Sequence, residues 1–322
     1  MRLSVVSPVL GSMKLDAALD LLKGLGVDAI ELGCGGYPGT AHADATLLVK
    51  DKKKTAALKD LFLKKGMEIS ALAVHSNPVH PDKAFADKAN AEFEAACVLA
   101  GVLNVPRVVT FSGCPGDGSK SVAPNWVTCA WPGDYTTVLE YQWNDRLIPY
   151  WTKAAKFAVN AGVSHVCLEM HPGFCVYTPG TLMRLRNAVG ETICANFDPS
   201  HLFWQGIDIV AAIKYLGGAI KYFHAKDTAI NKEETAVNGV LDTKSYNDEL
   251  RRSWIFRTVG YGHGQEEWKN IISALRMTGY NGFLSIEHED SLMTPAEGLK
   301  KAVAFMKEVM IADDNKTAAW WT

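Results

Sequence analysis

The sequence predicts an α/β fold, a single-domain (β/α)8 barrel of the TIM type. Three observations predict it. Eight short apolar runs alternate with eight amphipathic stretches across 322 residues. No Pro- or Ser-rich linker divides the chain. Four of the runs stop at carboxylate or imidazole residues, and barrel enzymes build their sites at the carboxyl ends of strands. A doubly wound sheet would need a Gly-rich phosphate turn after the first strand, and Ser7-Pro8-Val9-Leu10-Gly11 is not one.

The strands are expected near 3–8, 28–33, 68–75, 106–112, 164–171, 193–198, 220–226 and 283–288. They are rich in Val, Ile, Leu, Phe and Ala, as parallel strands covered on both faces should be. The first helix covers 16–24, where Leu15, Leu19 and Leu22 share a face. The others fall near 53–65, 82–101, 136–161, 178–189, 207–216, 265–278 and 295–310. Gly26, Gly66, Gly162 and Gly279 follow last turns, where a left-handed residue ends a helix. Asp51-Lys52-Lys53-Lys54 reads as a solvated helix start rather than a phosphate site. The barrel is assigned to 1–311 and a C-terminal tail to 312–322. The tail's Ala318-Ala319-Trp320-Trp321-Thr322 reads either as a partner contact or as a disordered end.

Two connections are longer than a barrel requires: 113–135 after strand four and 227–264 after strand seven. Long loops in a compact domain are usually functional or disordered. These hold Trp126, Trp131, Trp254 and Phe256, which argues for order. Trp126 and Trp131 in the first, and His263 within Gly260–Gly264 of the second, are expected to wall the substrate cavity. The alternative is that the aromatics build a subunit interface.

Composition excludes several classes. Apolar residues make up 48% and charged residues 21%, ordinary proportions for a soluble globular chain. The net charge of −2 forecasts neither nucleic acid nor an anionic membrane. No apolar run is long enough to cross a bilayer, and the first residues are too strand-like for a signal peptide. The seven cysteines lack CxxC spacing and read as reduced and mostly buried, which fits the cytoplasm.

The chemistry lies in Cys167-Leu168-Glu169-Met170-His171, Asn196-Phe197-Asp198-Pro199-Ser200-His201, Phe223-His224-Ala225-Lys226-Asp227 and Ser285-Ile286-Glu287-His288-Glu289. Side chains alternate along a strand, which turns Glu169, Asp198, His224 and Glu287 inward near the top of the barrel. Three carboxylates and one imidazole suit a hard divalent ion with positions left open for substrate oxygens, Mn2+ first, with Mg2+ or Co2+ as alternatives. His201 leaves strand six three residues after Asp198, as a neighbour of the ligands, a substrate contact or a helix cap. His75 ends strand three, and His171 shares the face of Glu169. Lys226 points inward, either to hold a developing oxyanion or to pair with a carboxylate. Glu31 ends strand two on the inward side, either structural or substrate-binding.

These segments resemble the xylose-isomerase-like barrel superfamily, which contains ketose 3-epimerases, inosose dehydratase, hydroxypyruvate isomerase and apurinic endonucleases. The likeness runs from Ile30-Glu31-Leu32-Gly33 to Glu287-His288-Glu289-Asp290. It implies that Glu169, Asp198, His224 and Glu287 ligate the metal. It also implies that Glu169 and Glu287 form the acid/base pair and that His201 contacts substrate. The implied activity is sugar isomerisation or epimerisation by proton abstraction next to a carbonyl, through an enediolate whose charge a divalent ion holds. The alternative is a lyase, an inosose-type dehydratase or a subunit cleaving 3-keto-glycosides by elimination, which starts with the same step. The nuclease branch fits poorly: strand four ends Phe111-Ser112-Gly113, without the extra histidine of a zinc cluster. The partners expected are a small sugar or keto-sugar and further copies of the chain, with a heteromeric partner left open. No Gly-rich phosphate loop is present, though Arg251, Arg252 and Arg257 are candidates for an anion.

Overall fold

The computed structural model describes residues 1–313. Eight parallel strands close a barrel in the order β1-β10-β7-β6-β5-β4-β3-β2. They are β1 (Arg2–Val6), β2 (Ala29–Gly33), β3 (Glu68–Ala73), β4 (Arg107–Phe111), β5 (His165–Glu169), β6 (Ile193–Phe197), β7 (Ile220–Ala225) and β10 (Phe283–Ile286). Two further strands, β8 (Asp227–Ile230) and β9 (Trp254–Arg257), pair antiparallel outside the barrel. The expected segment of each barrel strand contains the observed strand or overlaps it within a residue or two.

Alternation sorts the side chains. Leu3, Ile30, Leu72, Val108, Leu168, Ala195, Phe223 and Leu284 face the helices as one outer core. Ala29, Ala71, Val109, Cys167, Cys194, Tyr222 and Phe283 form a separate buried cluster inside the barrel. Small residues around two large rings fill the interior, so the centre is a packed core rather than a pore. Six of the seven cysteines are buried and none is paired. Among the described residues no helix is long and apolar enough to cross a membrane.

The helices follow their local signals. Asp51 caps Lys52–Lys65, its Oδ1 accepting from the backbone of Lys53 and Lys54, and Gly66 ends the helix at φ 61°. The lysine run is therefore a helix start. Gly101 lets two helices touch: a Cβ there would lie 1.9 Å from the carbonyl oxygen of Ala161. The helix expected at 136–161 is interrupted by a π-turn over Gln142–Leu147. Gln142 is turned inward there, and its Nε2 donates to the carbonyls of Pro115 (3.1 Å) and Asn125 (2.6 Å), which anchors the loop after β4.

The connection after β7 is more than a loop. It carries β8, β9 and the helix Lys232–Asn238. Asp227, one residue past inward-facing Lys226, points the other way and organises its return. The buried Oδ2 accepts from the backbone of Gly260 (3.0 Å), Gly262 (3.2 Å) and His263 (3.0 Å) and from Trp268 Nε1 (3.2 Å). A Cβ on Gly262 would meet the Thr228 carbonyl at 2.3 Å, so only glycine lets the loop close over this carboxylate. The tail residues Ala318–Thr322 lie outside the described residues.

Asp227→Ala would leave the buried Trp268 indole and three part-buried backbone donors without an acceptor, a full loss costing about 1–3 kcal/mol for a buried group. We expect a loss of more than about 3 kcal/mol in urea unfolding. A loss below about 1 kcal/mol would show that the loop closes without the carboxylate.

Candidate functional site

Glu169 ends β5, Asp198 follows β6 by one residue, His224 lies near the end of β7, and Glu287 follows β10 by one residue. Each offers a donor atom within 4.8 Å of the others. Asp198 and His224 are inaccessible, Glu169 is buried, and the Glu287 side chain is 20% exposed toward the barrel mouth. Asp198 Oδ2, His224 Nδ1 and Glu287 Oε2 are buried without a hydrogen-bond partner. His224 Nδ1 is 3.0 Å from Glu287 Oε2 and 3.3 Å from Glu169 Oε2, close but not aligned for bonding. Buried polar atoms are nearly always paired. Three orphans from one cluster, facing one another, are what a shared cation satisfies. A divalent ion therefore fits these residues.

The electrostatics agree. Burial raises the Asp198 carboxyl to about 6, the mark of a carboxylate short of positive charge. Burial acts in the same direction on Glu169, but the imidazoles of His201, His224 and His75 bring it well below the ordinary range. Burial also opposes ionisation of Glu287, yet Lys226 and His224 lower it to about 2. Lys226 is driven the other way: burial disfavours its charge, and Glu287 and Glu289 more than restore it. Its Nζ pairs with Glu289, lies 3.5 Å from Glu287 Oε2 and 3.9 Å from Asp198 Oδ2, and sits 4.2 Å over the Phe256 ring.

Other expected residues surround Glu169. His201 Nε2 is 3.0 Å from its Oε1, and His75 Nε2 is 3.1 Å from its Oε2. Asn196 Nδ2 donates to the same Oε2 at 3.1 Å. The His171 ring lies 4.0 Å from that of His201, and its Nδ1 is 2.6 Å from the Pro172 carbonyl. Burial and the neighbouring His201 lower His171 to about 3, so it is neutral at physiological pH and suits accepting a hydrogen bond better than giving a proton. Glu31 is inaccessible and does not reach the cavity; it lies behind His224.

A cavity of about 180 Å³ opens over Glu169 and Glu287. His75, His171, Lys226, His288 and Glu289 line its polar side, and Val9, Tyr37, Pro38 and Phe111 its apolar side. Phe111 stacks on Phe174 at 4.3 Å and meets His75 and His171 edge to face. Sequence alone assigns no site role to Tyr37, Phe111 or Glu289, which the structure brings to the cavity. The signal for Phe111 was its inward place at the end of β4, and for Glu289 its spacing of two from Glu287.

The expected aromatic walls need correction. Trp126 packs edge-on against Tyr177, Trp131 is 79% exposed, and neither lines the cavity. His263 stacks on Phe203 at 3.7 Å and has its Nδ1 2.8 Å from Asp227 Oδ1, so it holds the loop rather than facing the cavity. The connection after β7 reaches the site through Phe256 instead, which packs edge-on to His201 at 5.3 Å. The three arginines are engaged elsewhere: Arg251 with Asp248, Arg252 buried against Tyr246 and Trp254, and Arg257 with Asp290.

The family pattern for a xylose isomerase-like TIM barrel matches residues 19–309. The chain belongs to this family. The chain is 37% identical over 315 residues to an uncharacterized protein, YfiH, of Bacillus subtilis (strain 168), covering 96% of this chain and 99% of that one. It is 28% identical over 141 residues to an inosose dehydratase of Clostridium perfringens (strain 13), covering 43% of this chain and 46% of that one. The fold also matches a crystal structure of the IolI protein with a bound zinc atom, at a TM-score of 0.65 and 20% identity, covering 96% and 98% of the two chains.

A ligand that binds only the folded state stabilises it by about 2.7 kcal/mol at a hundredfold excess over its dissociation constant. Chelator-stripped protein should gain this much stability on adding Mn2+, and His224→Ala should gain none. A wild-type unfolding midpoint unchanged by Mn2+, Mg2+, Co2+ and Zn2+ in turn would rule out the cluster as a cation site.

Proposed function

We propose that this protein is a divalent-metal-dependent enzyme that epimerises or isomerises an uncharged keto-sugar by removing a proton from carbon next to its carbonyl. One observation carries the reading: donor atoms of Glu169, Asp198, His224 and Glu287 converge beneath an open cavity, three of them buried and unpartnered. The oxygen-rich set favours a hard cation, Mn2+ first, with Mg2+ and Co2+ as alternatives. The zinc atom of the IolI structure puts Zn2+ on the same panel. When bound, such an ion polarises the substrate carbonyl and steadies the negative charge that develops as the C–H bond breaks.

The chain's own residues supply the rest. Glu169 is held ionised by three imidazoles, the state a general base requires. Glu287 stands across the site, with β7 and β6 between its strand and that of Glu169. The two carboxylates can therefore serve different faces of one carbon or two neighbouring carbons. His201 and Asn196 orient Glu169. His75 and His171 offer contacts to substrate hydroxyls. Among the described residues Lys226 is the one lysine or arginine lining the cavity, and it is already paired with carboxylates. Among the described residues no arginine or unpaired lysine remains there to neutralise a phosphate or carboxylate, which supports an uncharged substrate. The buried, unpaired cysteines support a cytoplasmic setting, and a homo-oligomer belongs to the same proposal.

The lyase is the second reading. Lys226, a buried cation beside Glu287, is placed to give a proton to a departing oxygen, and the likeness to an inosose dehydratase points the same way. Ketoses, inososes and 3-keto-glycosides incubated with Mn2+ in D2O separate the outcomes by product. We expect deuterium at carbon next to the carbonyl in at least one neutral substrate. Epimer or isomer supports the first reading and an unsaturated product the second. Absence of exchange across the panel, together with turnover of a sugar phosphate, would overturn the proposal. Glu169→Gln and Glu287→Gln should each lower turnover on the order of 10²–10⁴-fold in variants that retain metal. Near-full turnover in either would remove that residue from proton transfer.

A further inference from the structure

We infer that Glu31 fixes His224 as a metal ligand, a positioning residue that acts through the imidazole and never touches substrate. The inference rests on the metal reading above. Glu31 ends β2 and His224 lies on β7, with β1 and β10 between them in the barrel, so the contact crosses the barrel interior. His224 Nε2 is 3.0 Å from Glu31 Oε2 and 3.2 Å from Oε1. Ser285 Oγ donates to Oε2 at 2.8 Å. Both Glu31 and His224 are inaccessible, and Glu31 is absent from the cavity lining.

The chemistry follows from this geometry. A buried carboxylate needs a cationic or hydrogen-bonding partner, and His224 is the one basic side chain paired with Glu31 among the described residues. The carboxylate therefore holds a proton on Nε2. An imidazole with its proton on Nε2 presents a lone pair at Nδ1, the atom that faces Glu169 and Glu287 and has no hydrogen-bond partner. The same contact fixes the ring plane and increases the basicity of the donor, and loss of such partners weakens metal affinity about 10–100-fold. Other barrel-interior polar groups are satisfied without Glu31: Tyr222 Oη is 2.6 Å from Ser70 Oγ, which is 2.7 Å from Ser4 Oγ. Filling the interior does not by itself call for a carboxylate at residue 31.

The test measures Mn2+ binding by chelator-stripped protein in competition with a chelating dye, and the unfolding midpoint of the metal-free protein alongside it. Glu31→Gln keeps the size but removes the charge, and we expect binding about 10–100-fold weaker. Ser285→Ala leaves Glu31 in place while freeing it from its second donor, and we expect a several-fold weakening with little change in midpoint. Glu31→Gln binding within about twofold of wild type, even with a lowered midpoint, would make Glu31 a structural residue and overturn the inference. Should Glu31→Gln not fold, unchanged affinity in Ser285→Ala has the same consequence. A wild-type protein that binds none of Mn2+, Mg2+, Co2+ and Zn2+ would instead overturn the metal reading and take this inference with it.

Discussion

The structure turns on one electrostatic constraint: carboxylates gathered at the mouth of a barrel must be matched by positive charge. Among the described residues, Glu31, Glu169, Asp198, Glu287 and Glu289 meet Lys226 as the one lysine paired within the cluster, with His224, His75 and His201 as imidazoles. Taking unpaired charge out of water costs several kcal/mol per group. The surplus is visible where it should be, in the raised Asp198 carboxyl and the unpartnered donors of the cluster. A closed parallel barrel makes such a gathering unavoidable once ligand-type residues sit at strand ends, because every inward side chain converges on one axis.

β7 shows how tightly the parts are joined. Tyr222 fills the interior, His224 offers Nδ1 to the cluster, and Lys226 enters the cavity, at successive inward positions. The next residue, Asp227, turns outward and ties down the loop that returns the β8–β9 pair, whose Phe256 packs against both Lys226 and His201. A shift of this strand by one residue would turn Tyr222, His224 and Lys226 away from the interior and dismantle core, site and loop anchorage together.

Much of the fold was legible because a barrel repeats one simple signal. Each strand is a short apolar run and each helix an amphipathic one, and eight repeats leave little topological choice. The clustering of Glu169, Asp198, His224 and Glu287 was legible from the same alternation, applied at strand ends. What escaped needed distance information. The partner of Glu31 lies 193 residues away, and no local pattern reports it. Phe256 reaches the site through an antiparallel excursion that the sequence presents only as a long connection. Trp126 and Trp131 misled because aromatic content says that a segment packs or binds, not where it points. His263 misled because a glycine-rich loop with a histidine looks like a cavity lip, whereas its backbone and ring wrap a buried carboxylate.

The central claim is that the orphaned donors share one cation. The most direct test is a crystal structure grown from protein loaded with Mn2+, with anomalous data collected at the manganese edge. The account predicts one anomalous peak bonded to Glu169, Asp198, His224 and Glu287 at roughly 2.0–2.6 Å, the range for hard cations. A protein saturated with Mn2+ whose peak lies elsewhere, or whose four side chains stand more than about 3 Å from any ion, would contradict it.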